Sequence, residues 1–376
     1  MAAPRILIVA GEASGDAHGA GLVCALRRGG LEAEFTGIGG PEMAAAGVRL
    51  IAPSRELAVV GVTEVLGRLP RILALLRRMR GEIASRPPDL FVPVDSPDFN
   101  FRLLGAAAAR RVPVVYFIAP QLWAWRPGRI AVLRRFVREL LVLFPFEEPW
   151  FRERGVAATY VGHPLVDAAR ARSTERPAPE EQPFGLLLPG SRAVEIRSHL
   201  AVLAAATRLL EADFPGLRWL IRRAPEMDAA RYARHLRPGR LELSDEPVAD
   251  LAARARVVVS ASGTASFEAA LAGTPLVVVY RMNPLSYRLA RRLVRVPHVA
   301  MANLAAGREI VPELLQDRCT PARVAAEVAA LLHDAGRREA MARGLNELRE
   351  RFGPPGAYKR AAERVRSHLD ATRGGE

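Results

Sequence analysis

The sequence predicts an α/β protein made of two tandem Rossmann-like domains with a cleft between them. Three observations carry this expectation. Short apolar runs alternate with helix-spaced runs along most of the 376 residues. The apolar run at 6–10 breaks into a glycine-rich stretch, and the run at 184–188, followed by "PGSRAVEI", restarts the same pattern near mid-chain. Such alternation argues for a parallel sheet with helices on both faces, and the length is about twice that of a usual domain.

In order, strands are expected at 6–10, 90–94, 112–118 and 140–144, with helices at 20–28, 69–80 and 101–110 between them. Residues 170–183, rich in Pro, Glu and Arg and without periodicity, read as a surface linker. Beyond them come strands at 184–188, 217–222, 257–260 and 276–280, with helices at 199–210 and 264–272. The tail is helical from Pro321 to about Arg366, and Thr320-Pro321 suits a helix start. Gly353-Pro354-Pro355-Gly356 interrupts it. The expected domains are therefore 1–169, 170–350 and a C-terminal helix, 351–376, with packing back on the first domain as one option.

Composition is that of an ordinary folded chain, 50% hydrophobic and 25% charged. No apolar run approaches the roughly 20 residues that cross a bilayer, and the run at 6–10 is too short for a signal peptide. Cys24 and Cys319 are expected to be small buried hydrophobes without disulfide or metal roles, which fits a reducing cytoplasm. The net charge is +14, with Lys359 the single lysine. Its sign points to an anionic partner: nucleic acid, a phosphorylated substrate or an acidic membrane surface. Nucleic acid is disfavoured, because the arginines are dispersed among apolar helices and no recognised nucleic-acid-binding signature occurs.

The stretch "GEASGDAHGAG", residues 11–21, departs from the G-x-G-x-x-G spacing of a dinucleotide turn. Its Glu12 and Asp16 would repel phosphate. Glu12, Ser14, Gly15 and Asp16 therefore read as a pocket for sugar hydroxyls, the alternative being glycines that only permit a tight turn and close helix packing. In "VVVSASGTASFEAALAGTPLVVVYR", Ser262, Gly263 and Thr264 stand at a helix N-terminus, as an anion site or as simple caps. Glu268, one turn inside, is placed for a ribose diol. Gly190, Ser191 and Arg192 follow a strand, where the arginine would meet a diphosphate. Asp95 and Asp98 follow the strand at 90–94; Asp98 reads as a helix N-cap or as a catalytic or acceptor-site residue. Trp123 and Trp125 belong either to the core or to the acceptor site.

Two helices are amphipathic and basic. One sets Leu69, Ile72, Leu73, Leu76 and Met79 against Arg71, Arg77, Arg78 and Arg80. The other sets Leu285, Leu289, Leu293 and Val296 against Arg288, Arg291, Arg292 and Arg295. Each could cover its own core or lie on an anionic membrane.

"AGEASGDAHGAGL", "GIGGPEM", "VDSPDFNF", "APQLWAWRPGRI", "FPFEEPWF", "YVGHPLVD", "LLPGSRAVEI", "ASGTASFEAALAGTPLVVVYRMNPLSY" and "NLAAGREIVPELLQ" together resemble the lipid-A-disaccharide synthases. The likeness spans about residues 6–316 in the family's order. It implies a two-Rossmann (GT-B) glycosyltransferase joining UDP-2,3-diacylglucosamine to 2,3-diacylglucosamine 1-phosphate, with inversion, a β-1,6 linkage and release of UDP. It further implies action on the cytoplasmic face of the inner membrane, whose anionic surface the two basic helices would meet if they do not cover their own core. Asp95 matches the family's essential aspartate, here the expected base, and Arg192 its essential arginine. UDP-contacting segments match at Ser262, Gly263, Thr264, Glu268, Arg281 and Asn303. Ser96 stands where alanine is common, Ala302 where proline is frequent, and His18 at a commonly apolar position. The chain has no Asp-x-Asp pair and no His/Cys cluster, so neither metal nor cofactor is expected. Another UDP-sugar enzyme, an epimerase or a glycolipid glycosyltransferase, is the rival reading.

Overall fold

Two parallel sheets organise the chain. The computed structural model describes residues 3–57, 62–125, 127–173, 183–225, 227–284, 287, 288, 291 and 296–373. The first sheet contains β1 (Arg5–Ala10), β2 (Glu34–Gly39), β3 (Arg49–Pro53), β4 (Leu90–Val94), β5 (Val115–Phe117), β6 (Glu139–Val142) and β7 (Ala158–Tyr160). Their spatial order is β3-β2-β1-β4-β5-β6-β7. The second contains β8 (Phe184–Leu188), β9 (Arg218–Arg222), β10 (Leu241–Ser244), β11 (Val257–Ala261), β12 (Leu276–Tyr280) and β13 (Glu313–Leu315), in the order β10-β9-β8-β11-β12-β13. Every pairing is parallel, as the doubly wound expectation required.

The chain divides into two compact units: Met1–Pro164 with Pro354–Glu376, and Leu165–Gly353. The helix Pro164–Ser173 covers the start of the stretch read as a linker, so residues 170–173 are helical; 174–182 lie outside the described residues. The tail breaks at Asp334 as well as at 353–356. Asp334 caps the helix Ala335–Arg351 by accepting from Arg337 N at 3.0 Å. Thr320 caps Pro321–His333 in the same way.

The last helix, Ala357–Arg373, packs on Ala13–Arg28 within the first unit. A Cβ on Gly21 would overlap the Tyr358 ring, and one on Gly19 would stand 2.7 Å from Met43 Sδ. These glycines serve close packing, and the stretch from Ala13 onward is helix rather than turn.

One core of the first unit gathers Leu75, Leu76, Met79 and Ile83 with Phe91, Phe99 and Leu103. Leu76 and Met79 therefore face protein, which corrects the wholly membrane-facing version of that stripe. Leu73 remains 36% exposed. The second basic stretch, 285–296, lies largely outside the described residues. Cys319 is buried, but Cys24 is exposed, contrary to expectation: it falls on the outward side of its helix. Among the described residues no helix is long and apolar enough to cross a membrane.

Candidate active site

In an open parallel sheet, ligands gather beyond the strand carboxyl ends where the strand order reverses. In the first unit that point lies between β1 and β4, which are direct neighbours. Gly11 and Glu12 leave β1 there, and Asp95 and Ser96 leave β4.

Asp95 and Ser96 both adopt left-handed backbone, with φ of 46° and 47°. Neither is glycine, so each conformation carries strain that surrounding bonds must hold. Asp95 N donates to Phe117 O at 3.1 Å. The Asp95 carbonyl accepts from Asn100 Nδ2 at 2.8 Å and from the Tyr116 hydroxyl at 2.6 Å. Tyr116 and Asn100 are wholly buried. Burial, and then the nearby Asp95, push the Tyr116 phenol well above its ordinary value, so it remains a donor. Gly11 completes the arrangement: a Cβ there would overlap Ser96 Oγ and stand 2.9 Å from Ser96 Cβ.

These contacts fix the Asp95 backbone and leave its carboxylate for other work. Burial and then the negative charge of Glu12 raise that carboxyl, the Ser96 N–H opposes both, and the outcome is a value of about 6. Glu12 and Ser14 are exposed at the start of the helix Ala13–Arg28.

Three other expectations for this unit need correction. Asp16 does not face an open pocket. It is 2% exposed, and its oxygens accept from Gly40 N at 2.6 Å, Met43 N at 3.0 Å and Glu42 N at 3.0 Å. It thereby satisfies the amino end of the helix Pro41–Ala45, a role that consumes its acceptors. Gly15 is buried against Ala10, its absent Cβ pointing 3.4 Å from Ala10 Cβ. Asp98 is not the cap of Pro97–Ala109; Ser96 occupies that position, and exposed Asp98 pairs with Arg129 at 2.6 Å.

Trp123 is half-buried and donates Nε1–H to Glu147 Oε1 at 2.9 Å, with its ring edge-on to Phe146. Glu147 also accepts from Leu143 N and Phe144 N, and burial raises its carboxyl to about 7 despite those bonds. Sequence reasoning missed Glu147, whose Glu-Glu-Pro setting looks like an ordinary helix start. His18, 3.0 Å from the Tyr358 hydroxyl, is pushed down by burial to about 4 and stays neutral.

In the second unit the reversal lies between β8 and β11, again direct neighbours. Gly190 leaves β8 with φ of 121°, and a Cβ there would lie 2.6 Å from Glu195 Cβ. Glu195 accepts from Ser191 N at 3.0 Å and Arg192 N at 3.2 Å, closing the start of the helix Ala193–Leu210. Those two N–H groups are thus engaged, and ligand contact in this turn falls to side chains. The Arg192 side chain is 54% exposed, 3.9 Å from Glu195.

After β11, Ser262 donates to Val299 O at 2.8 Å, and Gly263 precedes the helix Thr264–Leu271. Thr264 is exposed at that helix's N-terminus, where first-turn N–H groups lack intrahelical acceptors. Exposed Arg281 follows β12. Glu268, one turn along the helix, lines a cavity toward the amino ends of β11 and β12.

Buried His199, also missed from sequence, ties two of these turns together. Arg281 N donates to its Nε2 at 2.8 Å, which leaves Nδ1–H to donate to Pro189 O at 2.9 Å. Burial lowers its pKa, in keeping with a neutral ring.

Asn303 departs from expectation. It is wholly buried, and its amide donates to Val311 O and Glu313 Oε1, each at 2.8 Å. It accepts from Ile310 N at 2.8 Å and Val311 N at 3.0 Å. With all four directions used, it braces the loop before β13 and offers no group to a nucleotide. Among the described residues no cluster of three His, Cys, Asp or Glu could hold a metal.

The family profile described as Lipid-A-disaccharide synthetase matches residues 6–362. The "Lipid-A-disaccharide synthase" of Myxococcus xanthus is 43% identical over 370 residues, covering 96% of this chain and 97% of that one. That of Koribacter versatilis is 42% identical, covering 96% of each. Among solved structures, the S. aureus MnaA-UDP co-structure aligns with a TM-score of 0.67 at 14% identity, covering 99% of this chain and 97% of that one. The glycotransferase of kitacinnamycin aligns with a TM-score of 0.64 at 18% identity, covering 98% and 100%. These last two likenesses speak to the fold, which is that of the GT-B glycosyltransferases and sugar-nucleotide epimerases. The chain belongs to the lipid-A-disaccharide synthase family.

Proposed function

We propose that this protein transfers a diacylglucosaminyl group from its UDP carrier to the 6-hydroxyl of a diacylglucosamine 1-phosphate, releasing UDP and forming a β-1,6-linked disaccharide. The single observation that carries the residue assignment is Asp95. It stands at the carboxyl end of β4 in strained, firmly held backbone, with its carboxyl raised to about 6. A hydroxyl must lose its proton as it attacks, and a base with a pKa near the working pH does this best. A single in-line displacement inverts the α-linked donor without a covalent intermediate. Glu12 and Ser14 border the acceptor, and Trp123 lies on the same strand-end side.

The departing diphosphate gains negative charge and needs positive partners. In this reading Arg192 and Arg281 supply them, with the turn Ser262–Gly263–Thr264, while Gly190 and Ser191 shape the approach; Glu268, expected at the ribose, instead lines the cavity toward the opposite strand ends and takes no part. Their positions at the ends of β8, β11 and β12 support that assignment. No metal takes part. The exposed Arg71, Leu73, Arg77 and Arg78 would hold the protein to the anionic inner face of the membrane, where acylated substrates reside.

The test is turnover with both substrates by wild type, Asp95→Asn and Arg192→Ala. Loss of turnover with retained UDP affinity in Asp95→Asn supports the base; unchanged turnover removes it. Sedimentation with anionic vesicles at low salt tests the membrane contact, which fails if Arg77→Glu/Arg78→Glu binds as wild type does.

A further inference from the structure

The helix Thr264–Leu271 begins at the proposed donor turn and ends beside a cavity of about 420 Å³. Ala255, Thr274 and Pro275 line it, and they lead into β11 and β12. The cavity therefore opens at the amino ends of the strands, the edge opposite Gly190–Arg192 and Ser262–Thr264. Its remaining walls are mostly small side chains such as Ala253, so the space is not already filled.

Arg349 enters this space from the helix Ala335–Arg351. Half-buried, it gives one bond to Asn346 Oδ1 and has no carboxylate partner among the described residues. Several other partly buried arginines of this unit do have carboxylate partners: Arg237 with Glu211, Arg254 with Glu246 and Arg337 with Glu327. A Cβ on Gly273, another residue of the lining, would stand 3.5 Å from Arg349 Nη2, so the guanidinium reaches the cavity wall. A second cation stands beside it, for Arg170 donates to the Arg349 carbonyl at 2.9 Å. Burial lowers the Arg349 pKa and the charge of Arg170 lowers it further. A guanidinium without a carboxylate partner in a partly dry space favours an anionic ligand.

We propose that this cavity is a second binding site of the protein, taking a small phosphomonoester, distinct from the donor turns and not part of the transfer reaction. Its volume suits a sugar-phosphate-sized ligand. Glu268 on the lining adds a negative charge, which favours a single phosphate over a polyphosphate. Glucose 1-phosphate and inorganic phosphate present the shared chemistry with and without a sugar.

The test is calorimetric titration of the full chain with each probe while UDP saturates the donor turns. At least one probe should bind near one per chain. Arg349→Met, which keeps the aliphatic stem, and Ala253→Leu, which fills the space, should each weaken binding by about tenfold or more. Thermal melting and UDP affinity report whether each variant is folded; Ala253→Leu alone carries the test if Arg349→Met is not. Tighter binding of glucose 1-phosphate assigns a sugar phosphate, and equal binding assigns the free oxyanion. Three results overturn the proposal: no heat from either probe at about 10 mM, unchanged affinity in the folded variants, or loss of binding when UDP is present.

Discussion

Gly11→Ala tests the strained turn at Asp95 most directly. The new methyl would lie 2.9 Å from Ser96 Cβ and overlap Ser96 Oγ. The hydroxyl can rotate away, but the Cβ can move only with the Ser96 backbone, which Asn100 N and Phe99 N hold at its carbonyl. Overpacking of this kind costs about 1–3 kcal/mol. The alanine recovers about 0.4–1 kcal/mol by restricting the unfolded chain. A net loss of about 1–2 kcal/mol in the first unit is expected, with turnover falling as the Asp95 carboxylate shifts. Ser96→Gly removes the opposing Cβ and suits the left-handed backbone, so the double variant should recover much of both losses. Urea denaturation and initial rates of the four proteins measure the coupling, expected at about 0.5–2 kcal/mol. Strict additivity, or a neutral Gly11→Ala, would refute the steric argument.

Asp95→Asn should lower kcat by about 10²–10⁴-fold with UDP affinity kept. A base works when ionised, so kcat/KM should rise with pH through about 6 and level off; Glu12→Gln, by removing a like charge, should move that inflection to lower pH, and an unmoved inflection would separate Glu12 from Asp95. Asn303→Ala abandons four buried bonds and should destabilise the second unit by about 2–5 kcal/mol, seen in thermal melting. A chelator should leave turnover intact; a strict divalent requirement would contradict the leaving-group account. Burial pushes Glu139 up, but bonds from His368, Arg364 and Thr159 outweigh it and hold the carboxyl at about 2 against an ordinary 4.5. That contribution is complete above about 4.5 and lost as pH falls through about 2, so the helix Ala357–Arg373 should loosen in acid before the sheet melts, as hydrogen exchange would register.

The sequence was most legible where strands are buried on both faces. β1, β4, β8, β11 and β12 read as continuous apolar runs because helices cover both sides. The four edge strands, β3, β7, β10 and β13, escaped notice, for an edge needs no unbroken apolar run. β2 escaped because Gly37 interrupts it; a Cβ at that position would overlap Ile8 O of the neighbouring strand. Strand ends located Asp95 and Arg192, since a parallel sheet dictates where its turns gather. What could not be read was which polar groups the fold would use for itself. Asp16 and Asn303 sit within striking motifs of ligand-like chemistry, yet both are absorbed by backbone N–H groups brought from 24 and 7 residues away. Only tertiary contacts reveal that.

The carboxylate of Glu139, nearly enclosed at β6, waits for Arg364, which is synthesised 225 residues later. Until translation delivers that guanidinium and the Tyr358 ring, the first sheet has an unneutralised acid and an uncovered helix groove. The second unit, contiguous in sequence, is under no such delay. A chain ended at Gly353 would therefore display a finished back half beside an unfinished front one.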